Sequence, residues 1–599
     1  MILRATPGII FLRGALSGLL LPCTIAAFLR FFLAYQYRIF APIWALVIAV
    51  LLFLPTMVVV RRTYYLWRHS RRAAALGARL APSVRGSLPG NLDVLLDSVK
   101  KDHSSYPGDG QWEWLSELGS TFNLNFLWDD VIMTYDPCNI KAILATDFHN
   151  FVKGDKFRHS MFSVLGSGVF NADNEMWKFH RTMTRPFFHK DRTSDFDIFE
   201  RHASSTIYRM KQRFNKGYAL DFQDLVSRFA LDSACDFLFG NNVRSIFDAL
   251  PSPHNIPHGR AGRKTSAQAF FESLGRAQMV VSERFKLGWL WPLTEVFEDK
   301  TARSMRVVGK VLDPIVRDAI DEYKAKLARA PSTKKMNRDE TLLDHLLGVT
   351  TDPKVLKDEI LNIMIAGRDT TAATLTFLFY LLAENPAMLE RLREEIMTVV
   401  GPSARPTPEA IKKMPFLRAS INETLRLFPP VPFNARQAIH ETTWPSPDPA
   451  EKPIYIPAGA TTMYSVFMMH RRTDVWGPDA LKFDPDRFLD ARQQAYLGRN
   501  PFIFLPFNAG PRICLGQQYA YNQMSFMIIR LLQNFATVSL EPDAQNPNAR
   551  PPAWWAQVPG RQSLEKLWPK AHLTMYANGG LWVKMGEAKE KEQARASDA

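Results

Sequence analysis

The chain opens with two apolar blocks and then turns amphipathic. Ile39 to Val60 runs for 22 residues without a charge, and as a helix it is long enough to cross a hydrocarbon core about 30 Å thick. Arg61, Arg62, Arg68, Arg71 and Arg72 follow at once, a basic flank that by the positive-inside rule keeps everything downstream on the cytoplasmic side. The earlier apolar stretch, Gly14 to Leu29, is shorter, contains Pro22 and lies between Arg13 and Arg30; it fits a second span, a re-entrant piece or an interfacial helix. The long second block with its basic flank reads as an uncleaved anchor over residues 1–75, not a signal peptide.

Ala81 to Gly90 is rich in proline and glycine, which marks residues 76–90 as a hinge and stops a helix running on from the membrane. From 91 to 585 helical patterns dominate, with no second linker and no internal repeat, so this stretch is expected to be one large domain. Lys354 to Glu384 predicts a long helix ended by Pro386, and Pro415 to Phe428 another. The β-branched and aromatic runs Ile454 to Ile456 and Thr461 to Val466 predict strands of a small sheet. Pro251 to Arg263 reads as a surface insertion and Gly586 to Ala599 as a charged tail that does not fold.

Composition narrows the classes. Four cysteines, Cys23, Cys138, Cys235 and Cys514, are scattered through 599 residues without a CxxC pair; that argues against a zinc module or a disulfide framework and suits a reducing compartment. The formal charge of +15 would suit nucleic acid, anionic lipid or an acidic protein, and only its placement can choose among them.

Candidate chemistry centres on Phe507-Asn-Ala-Gly510-Pro-Arg512-Ile-Cys514-Leu-Gly516. Glycines let backbone approach a sulfur and a flat ligand closely, and N–H donors, positive charge or a metal draw a thiol down from its usual pKa of about 8.5 towards thiolate. The segment matches FxxGxRxCxG at every fixed position, and on it the chain resembles the cytochrome P450 superfamily. The resemblance implies a mainly α fold with small β-sheets (α+β): a triangular helical domain around a buried haem b, behind an N-terminal transmembrane helix. It implies that Cys514 ligates the iron as a thiolate, whose electron donation favours O–O cleavage. Phe507, Gly510, Arg512 and Gly516 would border the haem, with Arg512 on a propionate.

Further motifs fall in the order that the resemblance requires. Ala366-Gly-Arg-Asp369-Thr370-Thr371 fits AGxDTT: Ala366 and Gly367 leave a groove for dioxygen, the Thr370 hydroxyl guides a proton and Asp369 relays protons through water. Glu423 and Arg426, three apart, share a helix face; with Arg487 of Phe483-Asp-Pro-Asp-Arg487-Phe488 they are implied to form a buried triad that holds the cysteine loop. Trp177 and Arg181, in a WxxxR pattern, and Arg436 are implied propionate contacts, which suits the carboxylate-matching fork of arginine. Val431, Phe433 and a loop from Phe157 to Phe170 are the expected substrate wall, although core packing accounts for Val431 and Phe433 equally well.

Lys178, His180, Arg181, Arg185, Lys190 and Arg192 cluster near Trp177, a basic patch on which an acidic flavoprotein could dock. By resemblance that partner is the NADPH-cytochrome P450 reductase, carrying FAD and FMN, since no flavin or nicotinamide motif occurs in this chain; no nucleic-acid partner is expected. The implied activity is insertion of one atom of O2 into a small apolar substrate at the endoplasmic reticulum membrane, with the catalytic domain in the cytosol. Within the superfamily the chain is most similar to the fungal membrane-bound alkane and fatty-acid hydroxylases. Two other readings stay open: a haem-thiolate isomerase or peroxygenase acting on peroxides without a reductase, against which Asp369 and Thr370 speak, and a non-catalytic haem-binding membrane protein.

Overall fold

The computed structural model describes residues 6–40, 42–104, 106–188, 193–240, 243–256, 265–329 and 340–588. Two helices, α1 (Pro7–Tyr37) and α2 (Ile43–Ala75), are each long and apolar enough to cross a membrane, by length and composition. Leu20, Leu21, Phe28, Leu51 and Leu52 stand exposed along them. Both helices outrun the apolar blocks. α1 carries Pro22 inside it, and α2 continues through the basic flank, which therefore lies against the body of the protein. Arg62 Nη1 donates to the Trp128 carbonyl (3.2 Å), Tyr65 OH to Asp130 (3.1 Å) and Arg72 Nε to Glu441 (2.7 Å).

The expected hinge is correspondingly fastened. β1 (Arg79–Leu80) pairs in parallel with Ile454 and Tyr455, and Val84 N–H donates to the Asn123 carbonyl (2.9 Å). Prolines hold the preceding residue extended, and an extended segment can join a sheet edge as readily as it can span a gap.

β1 lies beside β7 (Ile454–Ile456), which pairs with β6 (Thr442–Trp444). A five-stranded sheet runs β2 (Thr121–Asn123), β3 (Val131–Thr134), β8 (Thr461–Ser465), β5 (Phe433–Ala438), β4 (Phe151–Val152), with only β3 and β8 parallel. Both expected strands are present, the second ending at Ser465. The helical body includes α3 (Gly154–Leu165), α4 (Asn174–Phe188), α5 (Phe222–Phe239), α6 (Ser266–Lys286), α7 (Pro353–Glu384), α8 (Pro415–Leu427) and α9 (Gln517–Asn534). Its spine is α7. The Asp352 carboxylate caps Lys354 and Val355 N–H and Pro353 fills the first turn, an N-cap and N1 proline in their preferred places. Residues 371–382 of α7 are buried on every side, the pattern of a helix that runs through a core.

Near the C-terminus, β9 (Phe535–Leu540) pairs with β12 (Trp582–Glu587), and β10 (Pro569–Ala571) forms a hairpin with β11 (Met575–Ala577). Gly586 and Glu587 thus belong to a strand, not to the expected tail. Residues 589–599 of that tail, and 257–263 of the expected insertion, lie outside the described residues.

Candidate active site

A cavity of about 940 Å³ is lined by α7, the cysteine loop, β5 and the β10–β11 hairpin, and Cys514 opens onto it. Gly510 sits at φ +67°, where an added Cβ would fall 1.8 Å from the carbonyl oxygen of the distant Leu144, so glycine alone fits. Cys514 N–H donates to the Phe507 carbonyl (3.0 Å) and Ile513 N–H to that of Gly510 (3.0 Å), which presents the sulfur just ahead of the α9 N-terminus. The thiol is enclosed by protein yet keeps accessible surface; the two facts agree because that surface faces the cavity and not bulk water. Burial pushes the thiol up, while Gly516 N–H and the Arg181 guanidinium pull it down. Of the four cysteines only Cys514 lines the cavity; Cys235 is buried in the core and Cys23 and Cys138 face outward.

Positive charge collects beside the sulfur, where Arg181, Arg436, Arg512 and Lys153 line the same cavity. Arg512 Nη2 donates to Asp173 and to the Ala172 carbonyl, both at 2.9 Å, and its guanidinium lies 4.6 Å from the Trp177 ring centre. Arg181 stands 5.9 Å from the same ring. Buried Arg436 donates Nη1 to the Ala435 carbonyl (2.7 Å). Arg512 Nε is buried without a partner, and burial, then Arg436, lowers this guanidinium to about 10. Burial, Arg436 and Arg512 hold the Lys153 ammonium well below its ordinary value. The carboxylate in their midst, Asp173, is already engaged by Arg512 and by Lys153 and Gly154 N–H (2.7 and 3.0 Å). Buried cations in excess of their anions suit a dianionic ligand. The two propionates of haem b fit that requirement, and the Cys514 thiol opens on the same cavity. Lys153 belongs to no motif; the fold alone brings it here.

A family model described as Cytochrome P450 matches residues 103–561. The chain belongs to the cytochrome P450 family. It is 38% identical over 431 residues to Cytochrome P450 52A3-B of Candida maltosa, covering 70% of this chain and 78% of that one. To Cytochrome P450 52-M1 of Starmerella bombicola it is 36% identical over 420 residues, 69% of this chain and 76% of the relative. Cytochrome P450 monooxygenase himC of Aspergillus japonicus is 34% identical over 470 residues, 78% and 76% of the two chains. This P450 is therefore a haem b monooxygenase, an oxidoreductase that incorporates oxygen from O2 into an apolar organic substrate with electrons received from NADPH through a reductase.

On α7 of this P450, Ala366, Gly367, Thr370 and Thr371 face the cavity. Gly367 leaves open space, its nearest neighbour being the Ala234 Cβ at 4.0 Å. Thr370 Oγ1 donates back to the Ala366 carbonyl (2.6 Å). Asp369 turns away from the cavity: Oδ2 accepts from Gln278 Nε2 of α6 (2.7 Å) and Oδ1 lies 3.2 Å from Arg368. Asp369 and Thr370 are adjacent in sequence but project in different directions, as successive helical positions must. Gln278 carries no sequence signal.

Val431 and Phe433 line the cavity. The expected loop from Phe157 to Phe170 is instead helical as far as Leu165, because Phe157, Met161, Val164 and Leu165 repeat at helical spacing and form one apolar face. The basic patch is smaller than the sequence implied. Lys178 is exposed and pairs with Glu175 (2.7 Å), but His180 is fully buried, 2.8 Å from Glu359 of α7. It shares the inward face of α4 with Trp177 and Thr184. Lys190 and Arg192 lie outside the described residues.

Behind the loop, Arg426 makes a two-pronged pair with Glu423 (2.7 Å twice), and both are fully buried. Arg487 Nε stands 3.6 Å from Glu423, but its closer carboxylate is Asp479, at 3.0 Å, a fourth member that the triad pattern omits. The connection to the cysteine loop runs through His470. Arg426 Nη1 donates to the His470 carbonyl (2.7 Å), and His470 Nε2 accepts from Leu505 N–H (3.0 Å), two residues before Phe507. Its Nδ1 lies 3.2 Å from the Arg426 carbonyl and must carry the proton, since a carbonyl only accepts.

Burial, with Arg426, lowers His470 to about 3 from the 6.5 of an exposed imidazole. Between those values the unfolded chain binds a proton that the folded one does not, so stability is complete above pH 6.5 and falls as pH drops, by up to about 1.4 kcal/mol per unit from this group. His470→Gln keeps an acceptor and a donor without titrating. Melting temperatures from pH 7 to 5 should decline less steeply for that variant; equal slopes would discount the role.

Proposed function

We propose that Cys514 is the thiolate ligand of the haem and that this P450 hydroxylates fatty acids or alkanes at the cytosolic face of the endoplasmic reticulum membrane. In this reading residues 1–75 anchor the chain and 91–585 form the catalytic domain. The observation that carries it is the sulfur of Cys514 opening, together with Thr370, on a cavity whose walls include Phe157, Phe188, Phe237, Phe433 and Trp291. An enclosed apolar wall offers dispersion contacts to a hydrocarbon chain and excludes water from the reaction.

The haem supplies oxygen activation when bound. The chain's own part is to hold that group and to meter protons. Arg436, Arg512, Arg181 and Lys153 balance the propionates, with Trp177 packed against two of the guanidiniums. Phe507 packs on Tyr521, with ring centres 5.0 Å apart, and shields the sulfur from water. Thr370 exchanges its bond to the Ala366 carbonyl for one into the cavity and passes a proton from Oγ1, taking another from water. Asp369, held by Gln278 and Arg368, is the carboxylate that brings protons to the helix from the α6 side. Val431 and Phe433 orient the substrate. Lys178 and Arg185 offer charge to a reductase of the NADPH-dependent FAD and FMN class.

The test is expression with such a reductase in microsomes, a carbon monoxide difference spectrum, and NADPH-dependent oxidation of fatty acids, alkanes and polycyclic aromatics. Thiolate-type haem with hydroxylated chains supports the reading; oxidation of the aromatics alone would overturn the substrate class. Thr370→Val should lower product per NADPH by about tenfold or more, short of the roughly 10²–10⁴-fold of full general-acid catalysis because Thr370 guides a proton that water also supplies. Hydrogen peroxide release should rise to match. Unchanged coupling would remove Thr370 from the relay.

A further inference from the structure

The turn of the β10–β11 hairpin, His572-Leu573-Thr574, lines the cavity. Backbone bonds fix its place: His572 N–H donates to the Thr574 carbonyl (3.1 Å), and Met575 N–H to that of Pro430 (2.8 Å), next to Val431 of the cavity wall. The imidazole is fixed as well. It stacks on Tyr576, with ring centres 5.1 Å apart and planes 24° from parallel, and its Nδ1 accepts from Leu573 N–H (2.8 Å) and Thr574 N–H (3.2 Å). Backbone N–H groups only donate, so Nδ1 carries a lone pair and the proton of the neutral ring sits on Nε2. Protonating Nδ1 would turn a third donor towards those two N–H groups. Burial, opposed by Asp369 and aided by Arg368 and Lys286, lowers the imidazole to about 4, which leaves it neutral at pH 7.

No group among the described residues accepts from Nε2, and this nitrogen keeps accessible surface. The ring is shielded from bulk water, so that surface lies on the cavity. A donor left without an acceptor in a water-poor space costs free energy that a ligand oxygen recovers. Lys286, at the end of α6, and Lys570, in β10, line the same cavity, while Arg368 offsets the nearby charge of Asp369. The field at the Nε2–H therefore favours an anion.

We propose that His572 Nε2–H binds the carboxylate of a long-chain acid, with Lys286 and Lys570 supplying the field, so that the substrate of this P450 is a fatty acid and not an alkane. This rests on the cavity being the monooxygenase site. The aromatic walls hold the chain, and the hairpin turn selects its head. An alkane leaves the N–H unsatisfied, the kind of mismatch by which a built polar contact rejects an analogue that lacks its partner.

The test compares dodecanoate, 1-dodecanol and dodecane as ligands of the full chain in nanodiscs at neutral pH, titrated by the Soret shift. His572→Asn keeps an oxygen for Leu573 and Thr574 N–H, but its amide ends short of the Nε2 position; His572→Gln reaches that position with an amide N–H. His572→Asn should weaken dodecanoate roughly tenfold and leave dodecane unchanged, because a hydrogen bond to a charged group is lost, and His572→Gln should recover part of the affinity. In NADPH-driven hydroxylation of dodecanoate, His572→Asn should raise KM by the same factor at nearly constant kcat, a split that a displaced hairpin would not give. Wild-type dodecanoate affinity in His572→Asn, or an equal weakening of dodecane, would overturn the contact. A loss for 1-dodecanol as large as that for dodecanoate would overturn the acid as its ligand. A wild type without thiolate haem would instead sink the proposed function, and equilibrium dialysis of labelled dodecanoate, corrected for empty nanodiscs, would still read the His572 contact.

Discussion

A Cys514→Ser chain should fold, enter membranes and form no thiolate-ligated haem, and its NADPH-driven product should fall to background. Folding survives because the Cys514 side chain faces the cavity, while its structural bond, to the Phe507 carbonyl, is made by the backbone N–H. Ligation does not survive. A thiol lies within reach of ionisation once Gly516 N–H, Arg181 and a metal act on it, whereas a serine hydroxyl remains a neutral, hard donor with none of the electron release that favours O–O cleavage. No other cysteine can substitute: burial holds the Cys235 thiol well above its ordinary value, and Cys23 and Cys138 lie away from the cavity. The reduced carbon monoxide difference spectrum of solubilised microsomes decides the matter. A thiolate-type band in the serine variant would move the ligand elsewhere.

Legibility in the sequence followed the range of each interaction. The α7 and α8 boundaries were readable because the capping Asp352, the prolines at 353, 386 and 415 and the apolar runs act locally. The cysteine loop was readable because its phenylalanine, glycines, arginine and cysteine fall within ten residues, although Gly510 also answers to the distant Leu144 carbonyl. Contacts between distant segments left no such trace. Lys153 beside Arg512, Gln278 on Asp369, Asp479 on Arg487 and His470 beneath Leu505 join residues scattered through the chain. His180 shows the opposite error. Its neighbours in sequence are basic, so it reads as surface, but three residues from Trp177 it falls on the inward face of α4. The basic flank after the second apolar block reads only as an orientation signal for the same reason. Its partners, Asp130 and Glu441, are far along the chain.

Glu423→Ala should release haem without any change at the sulfur. Glu423 is the carboxylate that Arg426 grips with two bonds, and it also accepts from Asp484 N–H (3.0 Å). Both guanidiniums that face it, Arg426 and Arg487, are buried, so alanine leaves the Arg426 guanidinium charged and half-satisfied in the interior, a change that costs about 3–5 kcal/mol. That is a large part of the stability of any domain. The loss passes to the loop by a short route: Arg426 turns, the His470 carbonyl loses its donor, and Leu505 N–H loses the imidazole that fixes the approach to Phe507. Glu423→Gln keeps one acceptor and should lose less haem than alanine. Arg487→Ala should be the milder of the two arginine deletions, because Arg487 divides its charge between Glu423 at 3.6 Å and the half-exposed Asp479 at 3.0 Å. The measurement is the ratio of haem absorbance to protein after mild detergent extraction. An alanine variant that keeps full haem would show that the loop stands without the triad, whereas loss in the order Glu423→Ala, Arg426→Ala, then Arg487→Ala would locate its support in the Glu423 carboxylate.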